Sequence, residues 1–319
     1  MQPLLRPFTS DDYPAITAIR NTVYREERTT EETLRFQDTH RNPQCLFQRW
    51  VVERAGEIVA AGEYVQVPNC ADPAQLWLDA YVYPHYQGQG IGSLLYHQLL
   101  AAVQPLDPVA VYASARDDMT RSVRFLTHRG FREERRWRGW VLDSSSFDST
   151  VYAGLNQTLQ QVGIRITTLQ ALEADPQRNR KLYELVTEVQ QDIPHTRPHV
   201  PLAYEHFIAS VLDDPAMLPD AYFLAVQDED YYIGLCTLLA DPGGESLYTD
   251  LTGVRRAYRR RGIALALKVQ GIAYAQAHGY LSVRTTNAAS NQGMLAINER
   301  LGFVEQPAWI GFVKVVQEV

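Results

Sequence analysis

Cysteine is scarce: Cys45, Cys70 and Cys236 stand far apart in 319 residues, which excludes a disulfide framework and the close pairs of a zinc site. Long apolar runs are missing as well. No stretch approaches the roughly 20 residues that cross a bilayer, and Met1-Gln2-Pro3-Leu4-Leu5-Arg6 holds no apolar run of signal length. The expectation is a cytoplasmic protein with buried thiols and no membrane partner. Basic excess is lacking too. Thirty Lys and Arg against thirty-seven Asp and Glu leave a net charge of -7, which opposes non-specific binding to nucleic acid. A Walker Lys-Ser/Thr pair is absent, and the glycines at 88–92 break the spacing of a dinucleotide fingerprint. What is present is ordinary globular composition, 45% hydrophobic and 21% charged, which favours folded cores over disorder. The length suits about two domains.

The chain repeats itself once. Gln87-Gly88-Gln89-Gly90-Ile91-Gly92 and Arg259-Arg260-Arg261-Gly262-Ile263-Ala264 each open an apolar helical pattern, with Gly90 and Gly262 172 positions apart. The same offset carries Gly62 to Gly234, Val82 to Val254, Gly130 to Gly302 and Phe131 to Phe303. The openings, Leu5-Arg6-Pro7 and Ile164-Arg165-Ile166, match at a smaller offset of 159, so the second copy carries 13 extra residues upstream of its core. We place them around Asp192–His199, where prolines disfavour a long helix and a loop could wall a pocket. The polar stretch Asp143–Asp148 suits an exposed junction, giving domains at 1–145 and 161–319 with a linker at 146–160.

Ile16, Ile19, Val23 and Tyr24 have the spacing of an amphipathic helix, as do Leu182, Leu185, Val186 and Val189. Trp50–Glu53 and Ile58–Ala61 read as a hairpin around Ala55-Gly56-Glu57, and Tyr222–Val226 with Tyr232–Leu235 repeats it. Strands are expected at Leu76–Val82 and Leu247–Val254, helices after each glycine segment, strands again at Val109–Ala113 and Leu281–Thr285, and helices ending at Gly130 and Gly302. Strands and helices mixed in one compact unit predict an α/β or α+β architecture.

The sharpest chemical signal is strand, glycine turn, helix. A helix start leaves amide groups unpaired and its dipole favours negative charge, so phosphate oxygens fit there. Arg259, Arg260 and Arg261 add positive charge in the second copy, where Gln87 and Gln89 supply uncharged donors in the first. Taken singly, either segment could equally be a structural turn.

Val82-Tyr83-Pro84-His85-Tyr86-Gln87-Gly88-Gln89-Gly90-Ile91-Gly92 resembles the acetyl-CoA motif of the GCN5-related N-acetyltransferases (GNAT), V-x-P-x-x-[QR]-x-x-G-x-[GA]. Val254–Ala264 is similar except that Arg256 replaces the proline, and Asn291, Leu301-Gly302-Phe303 and Arg129-Gly130-Phe131 are similar to the family's downstream segments. The arrangement resembles the tandem branch of that family, to which mycothiol synthase belongs. The resemblance implies two tandem GNAT-like acyl-CoA N-acyltransferase domains, each an α/β (α+β mixed-sheet) unit with splayed fourth and fifth strands. It implies acetyl-CoA as acetyl donor, its pantetheine beside Val82 or Val254 and Asn291. Its diphosphate would lie on the amides of Gln87, Gly88, Gln89, Gly90, Ile91 and Gly92, or of Arg259, Arg260, Arg261, Gly262, Ile263 and Ala264. A primary amine, a small molecule in preference to a protein, would attack the thioester directly in a ternary complex.

Two departures bear on mechanism. Where the family often has a Tyr to protonate the leaving thiolate, this chain has Leu126 and Asn298, and only the second can donate a hydrogen bond. The cofactor-contacting Asn falls on Met119 in the first copy, so the second copy is expected to be the catalytic one and the first a degenerate copy. Asp250 and Glu245 are candidate bases, Tyr248 and Tyr258 candidate acids, and His195 and His199 candidate substrate contacts, although ordinary surface or core roles are commoner for each type. Arg135-Arg136-Trp137-Arg138 reads as a solvated strand face. Two fused copies reduce the need for a dimer, so a monomer or weak dimer is expected. The missing tyrosines leave open a non-catalytic acyl-CoA-binding module, and a peptide or protein acetyltransferase is the other alternative.

Overall fold

The computed structural model describes residues 2–66, 75–194, 200–228, 230–241 and 244–316. In chain order the elements are β1 (Leu4–Pro7), α1 (Tyr13–Val23), α2 (Glu31–Thr39), β2 (Phe47–Arg54), β3 (Glu57–Gln66), β4 (Gln75–Val82), α3 (Ile91–Val103), β5 (Ala110–Arg116), α4 (Thr120–Thr127) and β6 (Arg132–Asp143). They continue with α5 (Gly154–Gln160), β7 (Ile164–Thr168), α6 (Arg178–Gln191), α7 (Tyr204–Phe207), β8 (Met217–Gln227), β9 (Tyr231–Ala240), β10 (Ser246–Val254), α8 (Ile263–Ala277), β11 (Ser282–Ala288), α9 (Gln292–Leu301) and β12 (Val304–Val315). The architecture is mixed α/β, and among the described residues no helix is long and apolar enough to cross a membrane.

Two compact units emerge, Met1–Arg136 with Ala308–Val319, and Trp137–Pro307. Unit 1 has strand order β1-β2-β3-β4-β5-β12, antiparallel except for the β4–β5 pair. Unit 2 has order β7-β8-β9-β10-β11-β6, again with one parallel pair, β10–β11. Each unit therefore takes its sixth strand from the other repeat: Trp309–Val315 pairs with β5, and Trp137–Asp143 pairs with β11.

Strand alternation sends neighbouring residues to opposite faces, and a helix covers each face. In unit 1, Val52 joins Leu76, Leu95, Leu99 and Val111 beneath α3, whereas Val51 joins Ile16, Ile19 and Leu34 beneath α1 and α2. In unit 2, Phe223 and Ala225 pack with Ile263, Leu267 and Ile272 of α8, and Tyr222, Leu224 and Val226 pack with Leu182, Leu185 and Val189 of α6. The Ser-rich junction is ordered. Gln276 Nε2 donates to the carbonyls of Ser144 (2.7 Å) and Phe147 (2.8 Å), and Tyr152, Leu155 and Leu159 join the α8 core.

Three expectations need correction. The 13 extra residues are not one loop: the first strand-to-helix link is 169–177 against 8–12, and the helix that follows is 14 residues against 11. His195 and His199 lie outside the described residues, as does Cys70. The strands at 109–113 and 281–285 run on to Arg116 and Ala288. Gly62 and Gly234 are not equivalent either, since Val82 pairs with Ala60 but Val254 pairs with Gly234. Cys236, opposite Thr252, holds the place that Gly62 holds opposite Ala80.

Candidate functional site

Each fourth strand ends in a short 3-10 turn, Pro84–Tyr86 or Arg256–Tyr258, followed by a left-handed glycine that starts a long helix. Gly90 has φ +86° and Gly262 φ +80°. A second left-handed position is held by Gly88 (φ +78°) and by Arg260 (φ +64°), where a side chain is strained. No side chain caps α3 or α8, so their first amides face outward at the positive end of the helix dipole. Side chains of the turn brace it from within. Gln87 Nε2 donates to the Val82 carbonyl and Arg259 Nε to the Val254 carbonyl, both at 3.0 Å. Gln89 Nε2 donates to the His85 carbonyl (2.8 Å), and Arg261 to that of Ala257 (3.1 Å). Ile91 and Ile263 are buried beneath the turns. The backbone is what both turns offer to an anion, and in unit 2 the exposed Arg260 adds a guanidinium to it.

In unit 1 the parallel ladder stops at Trp77–Tyr112, and β4 and β5 separate beyond it. A cleft of 580 Å³ opens between Leu78–Val82 and Ala113–Ala115, running from Gly88, Gly90 and Gly92 to Val23 and Tyr24 at the end of α1. Its turn end is lined by Arg121, Arg124, His128 and Arg129. Arg121 Nη1 lies 3.5 Å from where a Cβ on Gly88 would stand, and Arg129 donates to Ser93 Oγ (2.7 Å) while stacking on Phe125. The other end holds Asp79. Burial, and then the Glu63 carboxylate, push its pKa up to about 6, and its charge in turn holds the Tyr24 hydroxyl well above the usual value.

In unit 2 the parallel ladder stops at Thr249–Thr285. β10 carries a bulge between Thr249 and Thr252, pinned by Thr237 Oγ1, which accepts from the Leu251 amide (3.1 Å). Register with β9 and β3 equates Thr249 with Leu78 and Thr252 with Ala80, so Asp250 and Leu251 together fill the place of Asp79. A bulge re-aims side chains in this way. Asp250 keeps solvent-accessible surface, yet burial first and the Asp214 carboxylate second hold its pKa above the ordinary range.

The other candidates fall elsewhere. Glu245 precedes β10 at the end away from the turn, roughly 17 Å along the strand from Asp250. Asn298 is fully buried and its amide donates to Asn287 Oδ1 (2.7 Å), so the donor expected for a thiolate is engaged in the core. Asn291 caps α9 by accepting from the Met294 amide (3.3 Å). Tyr248 shares a 2.6 Å hydrogen bond with Thr286, and the Arg261 guanidinium stacks on Tyr258. Arg256 and Arg259 both pair with Asp192, whose pKa they lower, and Arg255 pairs with Glu188. Val254 is buried and Ala264 half-buried. Sequence reasoning missed Asp79, Tyr24 and the α4 arginines. The available signal was an acidic residue three positions before Val82, on the strand that leads into the first glycine segment.

The model of the acetyltransferase (GNAT) family matches residues 13–131 and 179–303. No curated protein matches the sequence. Among solved structures, a GCN5-related N-acetyltransferase from Sphaerobacter thermophilus is similar with a TM-score of 0.70 and 22% identity, covering 99% of this chain and 96% of that one. A tandem GNAT protein from the clavulanic acid biosynthesis pathway is similar with a TM-score of 0.75 and 16% identity, covering 100% of both chains. At these identities the structural likeness concerns the fold, whereas the family match takes in most of the chain and does so once in each repeat: the chain belongs to the acetyltransferase (GNAT) family.

Proposed function

We propose that the chain transfers an acetyl group from acetyl-CoA to a primary amine of a small molecule, by direct attack with both reactants held in the unit 1 cleft. The observation that carries this reading is the cleft's two-ended character: uncapped amides and arginines at one end, a carboxylate of raised pKa at the other. The amides of α3 and the Arg121 guanidinium suit a diphosphate, and Leu78–Val82, freed from β5 by the splay, offers backbone groups to an extended chain. The bound donor supplies an acyl group already activated as a thioester. Asp79, ionised at neutral pH, accepts a proton from the entering ammonium, directly or through one water, and leaves a nitrogen lone pair to attack. Holding the two reactants together supplies much of the remaining acceleration. Leu126 has no proton to give, so the departing sulfur takes its own from solvent.

Asp250 in its bulge supports a second reading, in which unit 2 transfers the group by the same logic. The test is thiol release from acetyl-CoA by the full chain across a panel of amines, peptides and lysine-bearing proteins. Release with small amines is expected. Donor binding with no release for any acceptor would replace the enzyme with an acyl-CoA-binding module, and faster release with peptides would replace the substrate class.

A further inference from the structure

Resting on the reading above, we infer that unit 1 selects its donor by the 3′-phosphate on the ribose of coenzyme A, and that Arg124 and His128 are the groups that read it. The diphosphate accounts for only part of the positive charge at the turn end of the cleft. From Thr120 to Arg132 the chain holds four arginines, one histidine and no carboxylate, a local basic excess in a protein of net charge -7. Arg121, Arg124 and His128 follow one another at three and four residues, which sets them on one face of α4 and its C-terminal end, and all three line the cleft. Each is exposed, and among the described residues none makes a side-chain hydrogen bond or ion pair. The neighbouring guanidinium groups are engaged within the protein. Arg129 donates to the Phe125 carbonyl (3.1 Å) and to Ser93 Oγ (2.7 Å), and Arg54 donates to Gln89 Oε1 above the Tyr86 ring.

Arg121, beside Gly88, belongs with the α3 amides to the diphosphate. Arg124 and His128 stand about 5 and 10 Å farther along the helix, where a second anion would answer them. Coenzyme A carries one. Its ribose bears the diphosphate on one carbon and a phosphate monoester on another, and such a monoester has a charge of about -1.5 to -2 at neutral pH. A guanidinium takes two of its oxygens in a fork, and an imidazole N–H takes the third. The second repeat shows that the fold does not demand this strip. The positions 172 residues on are Gly293, Ala296 and Arg300, so α9 keeps one of the three charges. The turn common to both repeats suits any diphosphate, whereas the strip is peculiar to unit 1.

The experiment is calorimetry on the full chain with CoA and with 3′-dephospho-CoA. CoA is expected to bind about tenfold or more tighter, with the preference shrinking as salt rises. Arg124→Gln should cut that preference to about threefold or less, and His128→Gln should weaken it in part. Arg121→Gln should weaken both ligands alike, because both carry the diphosphate. All of these positions are exposed, so the substitutions leave the core intact. Equal affinities, no measurable binding of CoA, or a preference unchanged in Arg124→Gln overturns the inference. Calorimetry needs no turnover, so a 3′-phosphate preference without thiol release for any amine would sink the transfer reaction alone. Thiol release from acetyl-CoA with equal affinities for the two ligands would sink this inference alone.

Discussion

The two repeats make the same turn and arm it differently. In unit 1 the turn is glycine and glutamine, and positive charge arrives from α4 through Arg121 and Arg124. In unit 2 the positions 172 residues on are Gly293 and Ala296, while the arginines sit on the turn itself, where Arg259 of the cluster and the neighbouring Arg256 pair with Asp192. Common to both are the left-handed residues, the uncapped helix and the splayed strands. Anion binding by backbone fixes torsions and leaves side chains free to differ. The strand position that holds a carboxylate differs in the same spirit: Asp79 lies on a regular strand, Asp250 in a bulge.

The largest effect that would break this comparison is on turnover. Asp79→Asn should lower kcat about 10²- to 10⁴-fold with donor affinity nearly unchanged, while Asp250→Asn has little effect. Steady-state kinetics on both variants decides it, and the reverse pattern would move catalysis to unit 2. Next in size is donor binding. Glutamate at Gly90 or Gly262 forces a side chain into φ near +80° and puts negative charge beside phosphates. Gly90→Glu should weaken acetyl-CoA binding by about two powers of ten, and Gly262→Glu should abolish any second site seen by calorimetry.

A smaller effect concerns pH. With Asp79 titrating near 6, kcat/KM should fall about tenfold per unit below that value, a limb absent from Asp79→Asn. The same raised pKa means the folded state holds this proton more tightly than the unfolded one. Its contribution to stability is therefore full below about pH 4 and lost as pH rises through 6, visible in denaturant midpoints. The smallest contrast is in packing. A Cβ on Gly253 would collide with Val189 of α6, whereas Tyr81 stands 172 positions earlier. Gly253→Ala should cost about 1–3 kcal/mol in chemical denaturation, and no loss would show that α6 gives way.

Much of this was readable in advance, because periodicity reports burial directly. Ile16 and Ile19, Leu182 and Leu185, and both hairpins are where the apolar spacing puts them. The glycine turns were readable because left-handed backbone demands glycine at Gly90 and Gly262. A constant offset is blind to a bulge, however. One inserted residue at Asp250–Leu251 hid its equivalence to Asp79, and spacing does not tell whether a long polar side chain such as Gln87 turns inward or outward. Nor does spacing name the partner of a final strand.

That last point bears on how the molecule comes into being. Unit 1 needs Trp309–Val315 beside β5, so β1 to β5, which are made earlier, cannot close their sheet until that strand has left the ribosome. Until then β5 presents an unpaired edge, a stretch open to mispairing or to chaperone attention. Severing the gene at the serine-rich junction would strand both products with the wrong last strand, whereas co-expressing the two pieces could restore the whole.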